Sequence, residues 1–139
     1  MNDPFDLQRF VDAQEAVYSQ VIAELRRGRE TSHWMWFIFP QIEGLGHSPI
    51  AEKYAITGLA EAKAYLNHRV VGQRLVNCIE LMLGIHGRSI NQILGYPDDL
   101  KFRSSMTLFA EVSEDISIFH VALDKYFDGE PDPLTIELL

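Results

Sequence analysis

Apolar residues three or four positions apart, interrupted at short intervals by helix caps, prolines and glycines, commit this chain to folding as a set of short helices. Leu7, Phe10, Val11, Val17, Tyr18, Val21, Ile22 and Leu25 form one stripe, with Asp6 as the expected cap and Gly28 as the stop. Ser48-Pro49 pairs a cap with proline at the first helical position and predicts a helix to about Thr57. Gly58 separates it from a helix over Ala60 to Asn67. Val71, Leu75, Ile79 and Met82 trace the next, which ends near Gly84 and Gly87. Ser89 caps one or two turns before Gly95, and Tyr96-Pro97-Asp98 opens a helix to about Val112. Ile116, Phe119, Leu123, Tyr126 and Phe127 define another, closed by Gly129, and Asp132-Pro133 starts a last one. No useful strand-period alternation is present. The expectation is an all-α fold: residues 1–139 as one compact domain, a bundle of seven or eight helices, several of them short.

Composition agrees with a packed globular domain: 47% of the residues are hydrophobic and 23% charged. The net charge of −8 disfavours nucleic acid and anionic membranes as partners. The Arg26, Arg27 and Arg29 cluster falls where the first helix ends, where cations complement the helix dipole. The lone Cys78 excludes an intrachain disulfide and a cysteine metal cage. The acidic start of the chain lacks the pattern of a secretory signal, and the apolar run Trp34 to Phe39 falls far short of the ~20 residues needed to cross a bilayer. A cytoplasmic protein is expected, with no cofactor called for and no protein partner indicated.

Two segments carry the residues that could do chemistry. The first is SHWMWFIFPQ, Ser32 to Gln41, charge-free and rich in aromatics. A short apolar run of this kind reads as strand or helix; a short helix capped by Thr31 or Ser32 suits its helical surroundings. Trp34 and Trp36, two positions apart, diverge on a helix, so that one can anchor the core while the other lines a cleft. His33, at a helix start, is the candidate proton-handling, catalytic residue. Gln41 and His47 stand in or beside the glycine-bearing loop that follows, as does Glu43. The second segment, Lys101 to Phe109, sets Lys101, Arg103, Ser104, Ser105 and Thr107 among apolar residues. On a helical wheel Phe102, Met106 and Phe109 share the core face, and Leu100 and Leu108 lie opposite, with Ser104 between them. A helix apolar around most of its circumference is buried, so its polar groups either satisfy one another or line a cavity. Both readings stand: a structural network with hydroxyls bonded one turn back, or a binding site for an anionic or sugar-like ligand.

Standard catalytic signatures are missing. The chain has no Walker loop, no serine elbow and no complete G-x-G-x-x-G. His33, His47, His68, His86 and His120 show no metal-binding spacing, so no metal site is expected. Asp98 and Asp99 read as helix-start acids. Glu111, Glu114 and Asp115 read as a solvated helix junction.

The stretches Ser32 to Ile56 (SHWMWFIFPQIEGLGHSPIAEKYAI) and Asp98 to Phe109 (DDLKFRSSMTLF) closely resemble the domain-of-unknown-function family numbered 1810. DLQRFVDAQ, EAKAYLNH, GQRL and the terminal DGEPDPLTIELL match its pattern too, so the resemblance spans nearly the whole chain. Arg69 stands where that family usually has proline, and Phe102 where it usually has leucine. The resemblance implies a single-domain, helical, soluble protein of a type common in bacteria and without an established activity. The calpastatin label carried by some members does not suit a chain with the caps and composition of a packed domain. Two functions fit these residues. One is a protein that binds a small anionic, nucleotide- or sugar-phosphate-like molecule, or a hydrolase or transferase acting on it, with a cleft between the two segments. The other is a helical adaptor without catalytic activity.

Overall fold

The computed structural model describes residues 2–113 and 117–139. Among these the chain is all-α, with ten helices: α1 (Gln8–Glu15), α2 (Tyr18–Arg26), α3 (Met35–Ile38), α4 (Pro49–Lys53), α5 (Leu59–Asn67), α6 (Val71–Leu83), α7 (Ile90–Leu94), α8 (Asp98–Glu111), α9 (Ile118–Phe127) and α10 (Pro133–Leu138). Glu114, Asp115 and Ile116 lie outside the described residues. No described helix is long and apolar enough to cross a membrane.

The count exceeds seven or eight partly because the first expected helix is two. Its apolar stripe runs unbroken through the join, yet the backbone turns at Val17, which leaves helical geometry at φ −124°. One turn earlier, Gln14 occupies a buried position in the stripe. Its amide donates to the Phe37 carbonyl at 2.7 Å, which ties α1 to α3. The start of α1 also departs from expectation. Asp6 adopts a positive φ and caps nothing; Asp3 accepts from the Leu7 and Gln8 N–H groups instead, at 2.8 and 3.0 Å.

Caps written into the local sequence form as expected. Ser48 accepts from Ala51 N–H, Asp132 accepts from Thr135 N–H, and Ser89 with Gln92 makes a reciprocal capping box. The helix at α4 is shorter than its sequence suggests because Ile56 is drawn into an isolated parallel bridge with Ile42. Ile56 N–H donates to the Gln41 carbonyl and Glu43 N–H to the Ile56 carbonyl, both at 2.8 Å. That pair of bonds holds the loop after α3.

Packing centres on α8, which touches α3, α5, α7, α9 and α10. Every residue from Ser104 to Phe109 is buried. Phe102 meets Phe39 edge-to-face at 4.8 Å between ring centroids, and this contact joins the tryptophan-rich run to α8. Helices α5 and α6 approach so closely at Gly72 that a Cβ there would lie 2.3 Å from the Leu66 carbonyl oxygen. Cys78, on the inner face of α6, is a free buried thiol whose pKa burial pushes up to about 12.

Helix α3 forms, but neither Thr31 nor Ser32 caps it. Glu24, a buried acid on α2, takes over. Its Oε1 accepts from the N–H groups of Thr31 and Ser32 and from the Trp34 indole, at 2.7, 2.9 and 3.0 Å. Its Oε2 accepts from the Ser32 hydroxyl at 2.7 Å and the Gln20 amide at 2.9 Å. Burial alone would raise this carboxyl. The Ser32 N–H and hydroxyl, the Thr31 N–H and the Gln20 amide outweigh it and hold the pKa at about 2.

Candidate functional site

The tryptophan-rich run and the arginine–serine helix meet around two adjoining cavities. The larger, about 570 Å3, lies between the loop from Gln41 to Ser48 and the face of α8 and α10. Trp36, Gln41, His47, Ser48, Lys101, Arg103, Ser104 and Asp132 line it, with Leu45, Ala51, Leu100 and Leu134 as its apolar share. The smaller, about 260 Å3, is lined by Glu30, Thr31, Ser32, His33, Tyr96 and Asp98. Trp36, Pro97 and Lys101 belong to both. The Lys101 ammonium lies 4.9 Å from the Trp36 ring and 3.5 Å from Asp98 Oδ1, so an indole–ammonium pair forms the partition.

The residues expected at a ligand therefore divide. Trp36, Gln41, His47, Lys101, Arg103 and Ser104 stand at the larger cleft. His33 is exposed and stands at the smaller one, across the Trp36 partition. Three others are misplaced by the expectation. Trp34, the residue just before α3, is 1% exposed and gives its indole N–H to Glu24 in the core. Ser105 is fully buried on the core side of α8. Thr107 is also buried; its hydroxyl donates to the Arg103 carbonyl one turn back and accepts from Asp132 N–H, both at 2.8 Å.

Arg103 and Ser104 are partly committed to structure as well. The guanidinium donates to the Glu130 and Pro131 carbonyls at 3.0 and 3.1 Å, and the Ser104 hydroxyl reaches the Leu100 carbonyl and Asp132 at 3.1 and 3.0 Å. Together with Thr107 they fasten the segment before α10, which is how Asp132 and Leu134 come to wall the cleft. Substituting Thr107 with valine should cost about 1.5 kcal/mol in a denaturant titration, by orphaning Asp132 N–H.

Sequence reasoning missed the carboxyl pair in the smaller chamber. Glu30 follows α2, and Asp98, read from sequence as a helix-start acid, opens α8. Both side chains line that chamber. Burial, and then the Asp98 carboxylate beside it, pushes Glu30 up to about 9. Glu30 sits between Arg29 and Thr31 with no local partner, so nothing in the neighbouring residues marks it. No group of three or more His, Cys, Asp or Glu among the described residues could hold a metal ion.

No curated protein matches this chain. The crystal structure of the conserved hypothetical protein Rv1873 from Mycobacterium tuberculosis is similar to it, at 53% sequence identity and a TM-score of 0.97, covering 99% of this chain and 98% of that one. The family model described as a protein of unknown function, DUF1810, matches residues 4–139. With the two segments that shape the cleft falling inside that match, the chain belongs to the DUF1810 family.

Proposed function

We propose that the chain is a single-domain cytoplasmic protein that binds a small anionic metabolite, nucleotide- or sugar-phosphate-like, in the larger cleft, as a binding protein or as a hydrolase or transferase. The lining supports this most directly: an open cleft of ligand size collects Lys101, Gln41, His47 and Ser48 around the Trp36 indole. With two of its donors held by backbone carbonyls, Arg103 contributes less than its charge suggests, and Lys101 is the principal contact for the anion. His33 is too far round the partition to be the first contact in this cleft; it belongs with the smaller chamber. The net charge of −8 suits a small anion held by local donors better than a polyanionic nucleic acid.

One observation favours the adaptor instead. Helix α10 leaves Leu134, Ile136 and Leu138 exposed, with Leu134 at the cleft mouth. A thermal melt separates the two readings. Against a panel of nucleotides, ADP-ribose, sugar phosphates and carboxylates, a ligand at 100 times its Kd adds about 2.7 kcal/mol. That corresponds to a rise in Tm of roughly 5–10 °C. Lys101→Ala should remove the shift at only a modest cost in ligand-free Tm, because its contact with Asp98 is a long one, at 3.5 Å, and still reached by solvent. A panel without a single shift at millimolar concentration, or a shift indifferent to Lys101, leaves the adaptor as the better account.

A further inference from the structure

The chamber beyond the Trp36–Lys101 partition has a different chemistry from the cleft it adjoins. Glu30 is fixed at its edge by a backbone bond from its N–H to the Ile93 carbonyl, at 2.8 Å. Its Oε2 is wholly enclosed and, among the described residues, has no donor directed at it. Burial, with the Asp98 carboxylate lining the same chamber, keeps Glu30 protonated at neutral pH. Lys101, 3.5 Å from Asp98, offsets the remaining negative charge. Around Glu30 the other charged or titratable groups are His33 and Tyr96 in the chamber wall and Glu24 on α2. The result is a recess rich in carboxyl oxygens yet close to neutral, with an indole face on one side. A cation gains little there, because Lys101 already occupies that role. A ring bearing hydroxyls gains more: its O–H groups donate to the carboxyls of Glu30 and Asp98 that line the chamber while its C–H face lies on the indole.

We propose that this chamber is the sugar subsite of the cleft, in which Glu30 and Asp98 accept hydrogen bonds from the hydroxyls of a ligand whose anionic group lies at Lys101. The assignment rests on the small-anion reading above and names the part of the ligand that passes the partition as a neutral polyhydroxylated ring. The proton on Glu30 is essential to it. Without that proton the recess carries a second negative charge beside a bound phosphate.

Calorimetric titration with ribose 5-phosphate, inorganic phosphate and ribose tests this on the wild-type chain and on Glu30→Gln, Glu30→Leu and Asp98→Ala, each first shown to fold by its melt. Ribose 5-phosphate should bind the wild type about tenfold more tightly than phosphate, the margin that hydrogen bonds to a charged acceptor supply. Glu30→Gln keeps the margin, since the amide retains both a donor toward Asp98 and an acceptor for the ring. Glu30→Leu and Asp98→Ala lose it. As pH rises through about 9 the wild-type margin should collapse, because Glu30 then ionises, whereas that of Glu30→Gln stays level. Equal affinity for ribose 5-phosphate and phosphate, or a margin untouched by Glu30→Leu and Asp98→Ala, overturns the subsite and leaves the anion reading standing. Failure of both phosphates to bind overturns the two together. Should Glu30→Leu and Asp98→Ala not fold, the pH comparison of wild type with Glu30→Gln decides, and parallel profiles overturn the assignment.

Discussion

Glu24→Ala should destabilise the fold by about 4 kcal/mol, seen as a fall in Tm of roughly 12 °C. Five donors converge on this carboxylate, from Gln20, Thr31, Ser32 (twice) and Trp34. Alanine leaves the Trp34 indole N–H buried without a partner, along with the two backbone N–H groups that position the start of α3. Each such orphan costs about 1–3 kcal/mol, and local relaxation that admits water recovers only part of it. Glutamine is a weaker test of packing but a sharper test of charge, because it offers one acceptor and turns an NH2 toward donors. The pH dependence follows with a definite sign. With a folded pKa of about 2 against an ordinary 4.5, the carboxylate contributes stability that is complete above pH 4.5 and is lost as pH falls toward 2. Acid melts of the wild type should show that loss, and those of Glu24→Ala should lack it. A variant within about 1 kcal/mol of wild type would mean that Glu24 does not organise α3.

The second large effect is expected at Arg9. Its guanidinium pairs with the buried Glu61 at 2.9 Å and also donates to the carbonyls of Phe5, Asp6, Lys53 and Ala55, which pins α1 to the segment between α4 and α5. Arg9→Met keeps much of the aliphatic packing and strands both the carboxylate and several of these carbonyls, so a loss of about 3–5 kcal/mol is expected. Glu61→Leu costs less at the guanidinium, which keeps its carbonyls, and more at α5, where Thr57 N–H and hydroxyl lose the Glu61 carboxylate at 3.0 and 2.9 Å. Denaturant titrations of both single variants and the double variant close the cycle. The double should be less destabilised than the sum of the singles by more than about 1 kcal/mol. Simple additivity would show that the two side chains stabilise independently.

The outline of the fold was legible where a helix start carries both partners of its cap within a few residues. Ser48, Ser89 with Gln92, and Asp132 are of this kind, and the helices they open start where punctuation places them. Illegible features depend on partners distant in sequence. The turn between α1 and α2 leaves the apolar stripe intact, and the bond that marks it runs from Gln14 to Phe37. Glu24 looks like an ordinary acid on an amphipathic helix; only the fold brings Thr31 to Trp34 back against it. At the cleft, spacing correctly separates Trp34 from Trp36 but cannot say which one faces inward. A helical wheel for α8 does separate Ser104 from Ser105, about 100° round beside Phe109, but it cannot show that a cavity lies against Ser104. The meeting of Glu30 and Asp98 in one chamber was the least accessible, since it brings the segment after α2 against the start of α8.

Helix α6 carries one further consequence. A thiol whose pKa stands near 12 inside the core is chemically silent at neutral pH, while the same sulfur on an extended chain reacts at an ordinary rate. Cys78 is the chain's single cysteine, so each alkylation event timestamps one excursion of that helix out of its cradle. The protein thus contains its own clock for opening, readable by mass alone and needing no introduced label.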